Sequence, residues 1–526
     1  MHITNPILPG FNPDPSILRV GDDYYIATST FEWFPGVQIH HSRDLVNWRL
    51  LTRPLAQASQ LDMRGTPNSG GIWAPCLSHD GNMFHLIYTD VKTLNGGFKD
   101  THNYLVTAPS IAGPWSQRVY LNSSGFDPSM FHDDDGRKWL VSMRWDHHKG
   151  HGKFNGILLQ EFSPTESRLV GPITKIFGNT PLGATEGPHL YKRDGMYYLM
   201  MAEGGTGLNH AVTLARSASL TGPYEVYPQN PVVTAKDRPG LELQKAGHAS
   251  IVETPDGQWY MVHLVGRPIE VGGERRCILG RETAIQKVVW GSDGWLRLEA
   301  GGNEPQVRVP APGLMPCPWP AGAAHDDFDS PQLNIHFQSL RVPIDESWLS
   351  LTDRPGFLRL IGRESIESLH EQSLIARRVQ SMDIEAATCV EFEPEDFQQM
   401  AGLVAFYDTK KNFYLRISRD EKLGKCLNIL IHDDGKYDEA LGQDVSIEGW
   451  QQVYLKLTMR RELLQFYFSR DGKDYQPIGP VLDASVLSDE YGRGWHFTGA
   501  FVGLACNDLT GRRKAADFDF FEYKQM

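Results

Sequence analysis

The sequence lacks several features that would direct it to particular classes of protein. It has no run of eighteen apolar residues and no basic segment followed by an apolar one near its start, so neither a membrane span nor a secretory signal is predicted. Its six cysteines contain no CxxC pair, which argues against a zinc site or a redox pair. Basic residues are too few for a phosphate-backbone partner, since the net charge is −13. We therefore expect a cytoplasmic protein with no nucleic-acid or membrane partner.

Length and composition indicate a folded chain of more than one domain. A chain of 526 residues is too long for one ordinary hydrophobic core, so two domains, one of them large, are expected. Apolar residues make up 40% and charged residues 22%, which is typical of globular proteins. Aromatic residues reach 11%, with 13 Trp, and are equally suited to core packing and to lining a concave binding site.

One short pattern occurs five times in the first three hundred residues. A small or acidic cluster is followed by a β-rich run, a turn containing Asp or Gly, and a second β-rich run. The copies begin at Asp14, Trp73, Asp127, Glu186 and Gly247, roughly 60 residues apart. The turns GDD, HDG, DDG, RDG and PDG favour β-hairpins, because Asp and Gly tolerate positive φ. A second strand pair follows each hairpin, so each copy supplies four strands.

Five copies of four strands predict an all-β chain that begins with a five-bladed β-propeller. A large β-sandwich array would give the same period and stays an alternative. In a propeller the first strand of each blade lines the central channel, so the starts of the five copies converge at one mouth. The residues that share this position are Asp14, Trp73, Asp127, Glu186 and His248.

The residue composition changes after the last copy of the repeat. We assign the propeller to residues 1–305, followed by a proline-rich linker over residues 306–325. Residues 326–526 show alternating strand patterns without the blade period, which predicts a β-sandwich of two packed antiparallel sheets. Its role is either structural or carbohydrate-binding.

Three acids in register, Asp14, Asp127 and Glu186, form the candidate catalytic set. Cleavage of a glycosidic bond needs one carboxylic acid to protonate the departing oxygen and one carboxylate to activate water or attack the sugar carbon. A third carboxylate nearby raises the pKa of the acid and keeps it protonated at neutral pH. Glu186, with a longer side chain and apolar neighbours, is the better candidate for the acid, and the two aspartates are better placed to stay ionised. Either Asp-Pro, taken alone, is better explained by an Asp that caps its own turn, whereas three acids in register are much harder to explain in that way.

Four other candidate residues have more than one interpretation each. His248 is a hydrogen-bond donor in a pocket, a calcium-associated ligand in the channel, or a satisfied histidine inside a turn. Trp73 and Phe31 form a stacking wall or pack between blades. Arg281 either bridges sugar hydroxyls and Asp14 or forms a surface salt bridge.

Five segments resemble the family 43 glycoside hydrolases, in particular the two-domain β-xylosidases. They are NPILPGFNPDPSILRVGDDYYIATSTFEWFPG, IWAPCLSHDGNMFHLIYTD, GFDPSMFHDDDG, ATEGPHLYK and LGRETAIQ. The resemblance runs through both domains and implies a concanavalin-like jelly roll for the C-terminal sandwich. It implies inversion of the anomeric configuration, with Asp14 as general base, Glu186 as general acid, and Asp127 as the group that raises the pKa of the acid and orients it.

The resemblance also implies a substrate and a pocket. The expected reaction is exo-acting release of D-xylose from the non-reducing end of β-1,4-xylo-oligosaccharides, often with side activity on α-L-arabinofuranosides. A cytoplasmic enzyme would act on small imported oligosaccharides. A sandwich loop helps to close the pocket in this subgroup, and the loop ACNDLTGRRK is the candidate here. The implied pocket residues are Phe31, Trp73, Thr206, His248 and Arg281.

No catalytic metal and no required cofactor are predicted. Some relatives hold a calcium ion in the propeller channel near the matching histidine and others hold only water, so the resemblance leaves both open. The DDDG segment at 133–136 lacks the alternating spacing of a calcium loop and is interpreted as a solvated hairpin turn. The subgroup's dimers and tetramers imply a homo-oligomer.

Three rival functions use the same residues. The first is an α-L-arabinofuranosidase of the same fold, in which only the pocket shape differs. The second is a non-catalytic glycan-binding propeller whose acids only form hydrogen bonds with sugars. The third is a retaining, fructosyl-transferring propeller, which also has three acids at comparable blade positions.

Overall fold

The computed structural model describes residues 1–526, and nearly all of its regular structure is β-strand. In chain order, the strands of the first 310 residues are β1 (His2–Thr4), β2 (Ser16–Val20), β3 (Asp23–Thr28), β4 (Trp33–Phe34), β5 (Gln38–Ser42), β6 (Arg49–Thr52), β7 (Gly71–His79), β8 (Phe84–Val91), β9 (Thr101–Ala108), β10 (Val119–Asn122), β11 (Ser129–His132), β12 (Lys138–Trp145), β13 (Phe154–Ser163), β14 (Arg168–Phe177), β15 (Glu186–Arg193), β16 (Met196–Glu203), β17 (Ala211–Ser217), β18 (Glu225–Val226), β19 (Val233–Thr234), β20 (Gln244–Glu253), β21 (Trp259–Gly266), β22 (Ile269–Val271), β23 (Glu274–Arg276), β24 (Glu282–Trp290), β25 (Leu296–Leu298) and β26 (Arg308–Pro310). No helix is long and apolar enough to cross a membrane.

These strands build five antiparallel blades, each from one continuous stretch of chain. The blades are β2-β3-β5-β6, β7-β8-β9-β10, β11-β12-β13-β14, β15-β16-β17-β18 with β19 beside β17, and β20-β21-β24-β25. Their first strands contact one another in a closed ring, β2 to β7, β11, β15, β20 and back to β2. Asp194 and Gly195, between β15 and β16, both have positive φ, as the RDG turn predicts for a two-residue hairpin. The predicted five-bladed propeller is confirmed.

Serines in the repeated segment connect neighbouring blades. The Ser16 hydroxyl accepts a hydrogen bond from the backbone N–H of Leu77 in the second blade. Ser129 in the third blade donates to the Pro188 carbonyl of the fourth at 2.6 Å. Ser250 of the fifth blade bonds in the same way to the segment that leads into β2. The residue after Asp-Pro therefore has a packing role, which fixes the acids that precede it relative to the next blade.

The two ends of the propeller meet and close the ring. Strand β1 pairs with β26, so part of the stretch interpreted as a linker is a strand of the propeller's closing sheet. The Asn5 side chain donates to the carbonyls of Ile285 and Gln306 at 2.7 and 2.8 Å. The backbone N–H of Asn12 donates to the Arg281 carbonyl at 2.9 Å. The start of the chain is thereby held against the fifth blade just before Asp14.

The rest of the chain forms two packed sheets, as the alternating pattern predicts. Its strands are β27 (His325–Asp326), β28 (Gln338–Leu340), β29 (Leu349–Ser350), β30 (Leu358–Ile361), β31 (Ser373–Arg378), β32 (Asp383–Glu391), β33 (Gln399–Asp408), β34 (Lys411–Asp420), β35 (Gly424–Asp433), β36 (Lys436–Glu439), β37 (Val445–Ser446), β38 (Val453–Arg460), β39 (Leu463–Ser469), β40 (Gln476–Asp483), β41 (Phe501–Asp508) and β42 (Ala515–Gln525), with one turn of 3-10 helix at Ala484–Val486. One sheet has the order β29-β30-β42-β32-β38-β39-β40, with β27 beside β42. The other has the order β36-β35-β34-β33-β41-β31-β28-β4, with β37 beside β35.

A propeller segment is the last strand of that second sheet. β4 leaves the first blade and pairs with β28, with Phe34 opposite Ser339. The Trp33 ring is fully buried and stacks on the Phe501 ring of the sandwich, with 3.8 Å between centroids. An apolar cluster that includes Phe11 and Tyr414 continues across the boundary. The two domains therefore share one core.

Candidate active site

A cavity of about 260 Å³ collects the residues that the sequence singled out. All eight predicted site residues line it: Asp14, Phe31, Trp73, Asp127, Glu186, Thr206, His248 and Arg281. Ten further residues line it: Lys99, Phe126, Trp145, Lys153, Phe154, Ala184, Gly205, His210, Trp495 and Phe497. Residues from all five blades and from the sandwich thus face one common space.

The backbone at the blade starts has an uncommon conformation. Asp14, Asp127 and His248 have φ values of 55°, 52° and 50°. Residues other than glycine seldom adopt positive φ, and such strained positions cluster at functional sites. In the fourth blade the residue with this conformation is Gly187, at 56°, so Glu186 comes from one position earlier. The prediction that these residues occupy the same position in each repeat is therefore correct to within one residue.

Asp14 is held by three neighbours of matching chemistry. Its Oδ2 accepts a hydrogen bond from the Ser29 hydroxyl at 2.6 Å, and its Oδ1 accepts one from Arg281 Nη1 at 3.2 Å. The Nδ1 of His248 lies 3.9 Å from the same Oδ1. Burial acts to raise the pKa of Asp14, but the Arg281 guanidinium, then His248 and the Ser29 hydroxyl, together outweigh it and lower the pKa. Asp14 is the carboxylate of this site that stays ionised.

Asp127 and Glu186 have the opposite electrostatic character. The backbone N–H of Gly187 donates to Asp127 Oδ2 at 3.1 Å, so Asp127 contacts the chain directly beside Glu186. Burial raises the pKa of both groups, and the charge of Asp14 raises the pKa of Asp127 further. The pKa of Glu186 is raised well above its ordinary value by burial, then by Asp127 and Asp14. The two acids titrate as a pair and retain a proton near neutral pH.

Arg281 connects the acids to the opposite wall of the cavity. Besides Asp14, its Nη1 donates to the Thr206 hydroxyl at 2.9 Å, and its Nη2 donates to the Phe497 carbonyl at 3.2 Å. Arg281 is only 4% exposed, so it is a buried bridge and not a surface salt bridge. A guanidinium fixed in this way holds both the carboxylate and the sandwich segment in place.

The surroundings of His248 offer few ligands for calcium. Burial, and the charge of Arg281, lower the pKa of His248 despite the nearby Asp14. His189 and His210 are close enough for the charge of His248 to lower their pKa values as well. Calcium takes about six to eight oxygen ligands, whereas this group is mostly nitrogen and includes a guanidinium. No chemical step is therefore assigned to a metal here.

Aromatic rings form a nearly continuous wall. Phe31 lies 6.2 Å from Trp73 and 5.8 Å from Phe497, and Trp73 lies 5.2 Å from Phe126, measured between ring centroids. Phe126 in turn lies 6.1 Å from Trp145. Such walls suit the apolar faces of sugar rings, while the acids form the polar floor.

The sandwich supplies part of this wall through a segment that the sequence did not indicate. The backbone N–H of Phe497 donates to the Ser69 hydroxyl at 3.0 Å, and the Phe497 side chain is only 9% exposed. Trp495, 58% exposed, lies beside it at 5.7 Å between centroids. The loop 505–514 is not part of the cavity, so the prediction that it closes the pocket is wrong. Arg512 in that loop is paired instead with Glu395 at 3.0 Å on the sandwich surface.

Lys99 and Trp145 were also missed. Burial lowers the pKa of Lys99 to about 8, although the charge of Glu186 acts to raise it. Its Nζ lies 5.3 Å from the Trp73 ring centroid and 4.9 Å from that of Trp145. Trp145 ends β12, the second strand of its blade, and Lys99 lies in a loop before β9, so neither falls at the repeated position. No local pattern in the sequence marks either residue as part of the site.

On the xylo-oligosaccharides that the family resemblance implies as substrates, truncation of Trp495 to alanine is expected to reduce kcat/KM by about three- to tenfold, because one aromatic stacking contact is lost. Steady-state kinetics on xylobiose and xylotriose would measure it. Phe397→Ala is the matched control, since Phe397 is 56% exposed on the sandwich and lies outside the cavity. Equal rates for the Trp495 variant and the wild type would contradict a role for this residue in substrate binding.

Comparison with known proteins gives the same architecture over the whole chain. The family model for Glycosyl hydrolases family 43 matches residues 3–296, and the model for the Beta xylosidase C-terminal Concanavalin A-like domain matches residues 325–524. Xylosidase/arabinosidase 43B of Humicola insolens is 53% identical over 541 residues, covering 100% of this chain and 98% of that protein. Beta-xylosidase of Bacillus subtilis (strain 168) is 50% identical over 534 residues, covering 100% of both.

A solved structure is similar at the same level. The crystal structure of xylan beta-1,4-xylosidase from Bacillus halodurans C-125 superposes with a TM-score of 0.98 at 58% identity. The superposition covers 99% of this chain and 100% of that one. The propeller and the concanavalin-like sandwich therefore recur together in these proteins.

Proposed function

The chain belongs to glycosyl hydrolase family 43 and is a glycoside hydrolase, and on this basis we propose that it is an inverting, exo-acting β-1,4-xylosidase that releases D-xylose from xylo-oligosaccharides. The observation that carries the proposal is that one cavity holds both an ionised carboxylate and a protonated carboxylic acid. Asp14 is held ionised by Arg281, and Glu186 is kept protonated by burial and by its acidic neighbours. That is the acid and base set that an inverting hydrolysis requires.

In the proposed mechanism each acid has one task. Asp14 takes a proton from a water molecule, which attacks the anomeric carbon from the face opposite the leaving group. Glu186 gives its proton to the glycosidic oxygen as the bond breaks. Asp127 raises the pKa of Glu186 by its like charge and fixes its backbone through the Gly187 N–H. Arg281 keeps Asp14 oriented and ionised before water attack.

The shape of the cavity supports exo action on a short chain. A volume of about 260 Å³ is small for a binding cleft and suits one or two sugar units better than a long polymer. Phe497 and Trp495 of the sandwich lie across the propeller wall at this point. A substrate would therefore enter end-on, with its non-reducing sugar against the acids. An imported oligosaccharide fits this entry better than intact xylan.

Hydrolysis of xylobiose is expected to give α-xylose as the first product of the non-reducing unit, because water attacks opposite the departing oxygen. A proton NMR time course recorded before mutarotation measures the anomer directly. Release of the β anomer would show retention and exclude the proposed role of Asp14 as general base to water. Absence of any cleavage of xylobiose would favour a glycan-binding propeller.

The second candidate is an α-L-arabinofuranosidase of the same fold. It is favoured by the similarity to a protein described as Xylosidase/arabinosidase 43B. Relative turnover of the xyloside and the arabinofuranoside of one chromogenic alcohol separates the two functions. A higher kcat/KM on the arabinofuranoside would make xylosidase activity the side reaction.

The rate is expected to depend on pH in a bell shape with widely separated limbs. Asp14 must be ionised, and its lowered pKa moves the acid limb to a lower pH than an ordinary aspartate would give. Glu186 must be protonated, so the alkaline limb follows its raised pKa. Asp127→Asn removes the like charge and is expected to move the alkaline limb to lower pH by about one unit. Profiles of kcat/KM measure both limbs.

The control for that profile is Asp135→Asn, which makes the same charge change at an exposed turn of the same blade. It is expected to leave both limbs in place. An alkaline limb that does not move in Asp127→Asn would contradict the role of Asp127 in setting the pKa of Glu186.

A further inference from the structure

A second, larger cavity of about 570 Å³ shares no residue with the candidate active site. It lies where the first blade, the segment 319–322 and strand β31 of the sandwich meet. No aspartate or glutamate lines it. Its basic residues are His40, Arg49, Arg53, His336, Arg377 and Arg378. In a chain with a net charge of −13, a cavity of this composition is unusual.

Two of these arginines have buried nitrogen atoms without partners. Arg378 is only 6% exposed, and its Nε donates to the Phe11 carbonyl at 2.7 Å while its Nη1 donates to Gln338. Its Nη2 is buried and has no hydrogen-bond partner, and neither has the buried Nε of Arg377. Buried donors are nearly always satisfied, so these atoms indicate a ligand that accepts hydrogen bonds.

The charges in the cavity repel one another. Burial and, next, the guanidinium groups of Arg377, Arg53 and Arg378 together lower the pKa of His336 to about 4. Burial also lowers the pKa of Arg53 to about 9. Of the charged groups that act on the three arginines, one is a carboxylate, Asp326, and it acts on Arg377. Buried charges are normally paired, and here most of the positive charge has no counter-ion.

We propose that this cavity is a binding site for a small oxyanion, such as inorganic phosphate or the carboxylate of an acidic sugar. Guanidinium groups suit both, because their planar donors match the geometry of phosphate and carboxylate oxygens. Arg378 and Arg377 would direct their free nitrogens to the ligand, and Arg53 would add a third positive charge. Arg53 is held in place by Gln38, whose Oε1 accepts from its Nη2 at 2.7 Å.

The site is also connected to the active site through one aromatic contact. Arg378 holds the carbonyl of Phe11, and the Phe11 ring lies 5.6 Å from that of Phe31, which lines the active-site cavity. Binding is nevertheless measured apart from catalysis, so failure of the proposed glycosidase function would leave this proposal standing.

The experiment is isothermal titration of the full chain with inorganic phosphate, in a phosphate-free buffer at constant ionic strength. One phosphate per chain is expected to bind, and the thermal midpoint is expected to rise with phosphate but not with chloride. Arg378→Gln and Arg377→Gln are each expected to weaken phosphate binding at least tenfold, because a charge-assisted hydrogen bond is lost. Arg308→Gln is the control, since Arg308 is exposed on β26 and lies outside the cavity.

Arg377→Gln and Arg53→Gln keep the test valid if Arg378→Gln does not fold. Parallel titrations with acetate and glucuronate separate the two ligand sources: tighter binding of glucuronate than of phosphate would assign the site to a sugar acid. Binding of no oxyanion beyond the effect of chloride, or unchanged affinity in Arg377→Gln, would overturn the proposal. It would also be overturned if the arginine variants changed only the oligomeric state, because an acidic side chain of a second copy would then fill the cavity.

Discussion

Replacement of Glu186 by glutamine is expected to lower kcat on xylobiose about a thousandfold, because the amide keeps the size of the side chain but cannot donate a proton to the leaving oxygen. The loss is expected to be much smaller on an aryl xyloside, whose leaving group departs as a stable anion and needs little protonation. The measurement is kcat for both substrates, with the wild type and the variant compared at the same pH.

The difference between the two substrates is what identifies the general acid. Equal losses on xylobiose and on the aryl xyloside would show that Glu186 has another role, such as substrate orientation. Glu253→Gln is the matched control, because Glu253 is exposed at the end of the inner strand β20 and outside the cavity. It is expected to leave both rates unchanged.

Replacement of Asp14 by asparagine is expected to lower kcat by about a hundred- to ten-thousandfold on both substrates alike. Water must be deprotonated whichever group leaves, so a better leaving group does not restore kcat. In Asp14→Ala, added azide is expected to restore part of the rate on the aryl xyloside, because an anionic nucleophile needs no base. The azide product would have the inverted configuration.

Loss of Asp14 also leaves Arg281 without its carboxylate partner, so the stability of each variant must be measured alongside its kinetics. A buried guanidinium without its partner is destabilising. A variant that folds like the wild type yet is inactive on both substrates fits the base role. A loss confined to xylobiose would instead assign Asp14 to leaving-group departure and reverse the proposed roles.

Much of the fold can be predicted from the sequence because the propeller is built from a repeat. The five hairpin signals recur at nearly constant spacing, and each blade is built from one continuous segment, so local patterns were enough. The same repetition located the acids. Asp14, Asp127 and Glu186 are far apart in sequence, but their shared place at the start of inner strands brings them to one mouth.

The parts of the site that could not be predicted depend on contacts without a local pattern. Phe497 reaches the cavity from the sandwich, held by Ser69 more than four hundred positions earlier, and no periodicity relates the two. Lys99 comes from a loop whose length is not constrained by the blade. Nothing in the residues of the loop 505–514 distinguishes it from other sandwich loops, and in the structure its Arg512 and Lys514 pair with Glu395 on the outer surface. Strand β26 could not be predicted from its proline-rich segment, because its extended conformation depends on pairing with β1.

The short strand β4 has a consequence for how such enzymes can be recombined. A catalytic propeller cut free of the second domain would lose the neighbour of β4 and the ring that covers Trp33, leaving an open sheet edge and an apolar patch. It would also lose a wall of its own pocket. Exchange of the second domain between relatives is therefore expected to change one wall of the pocket, so the two domains have to be engineered as one unit.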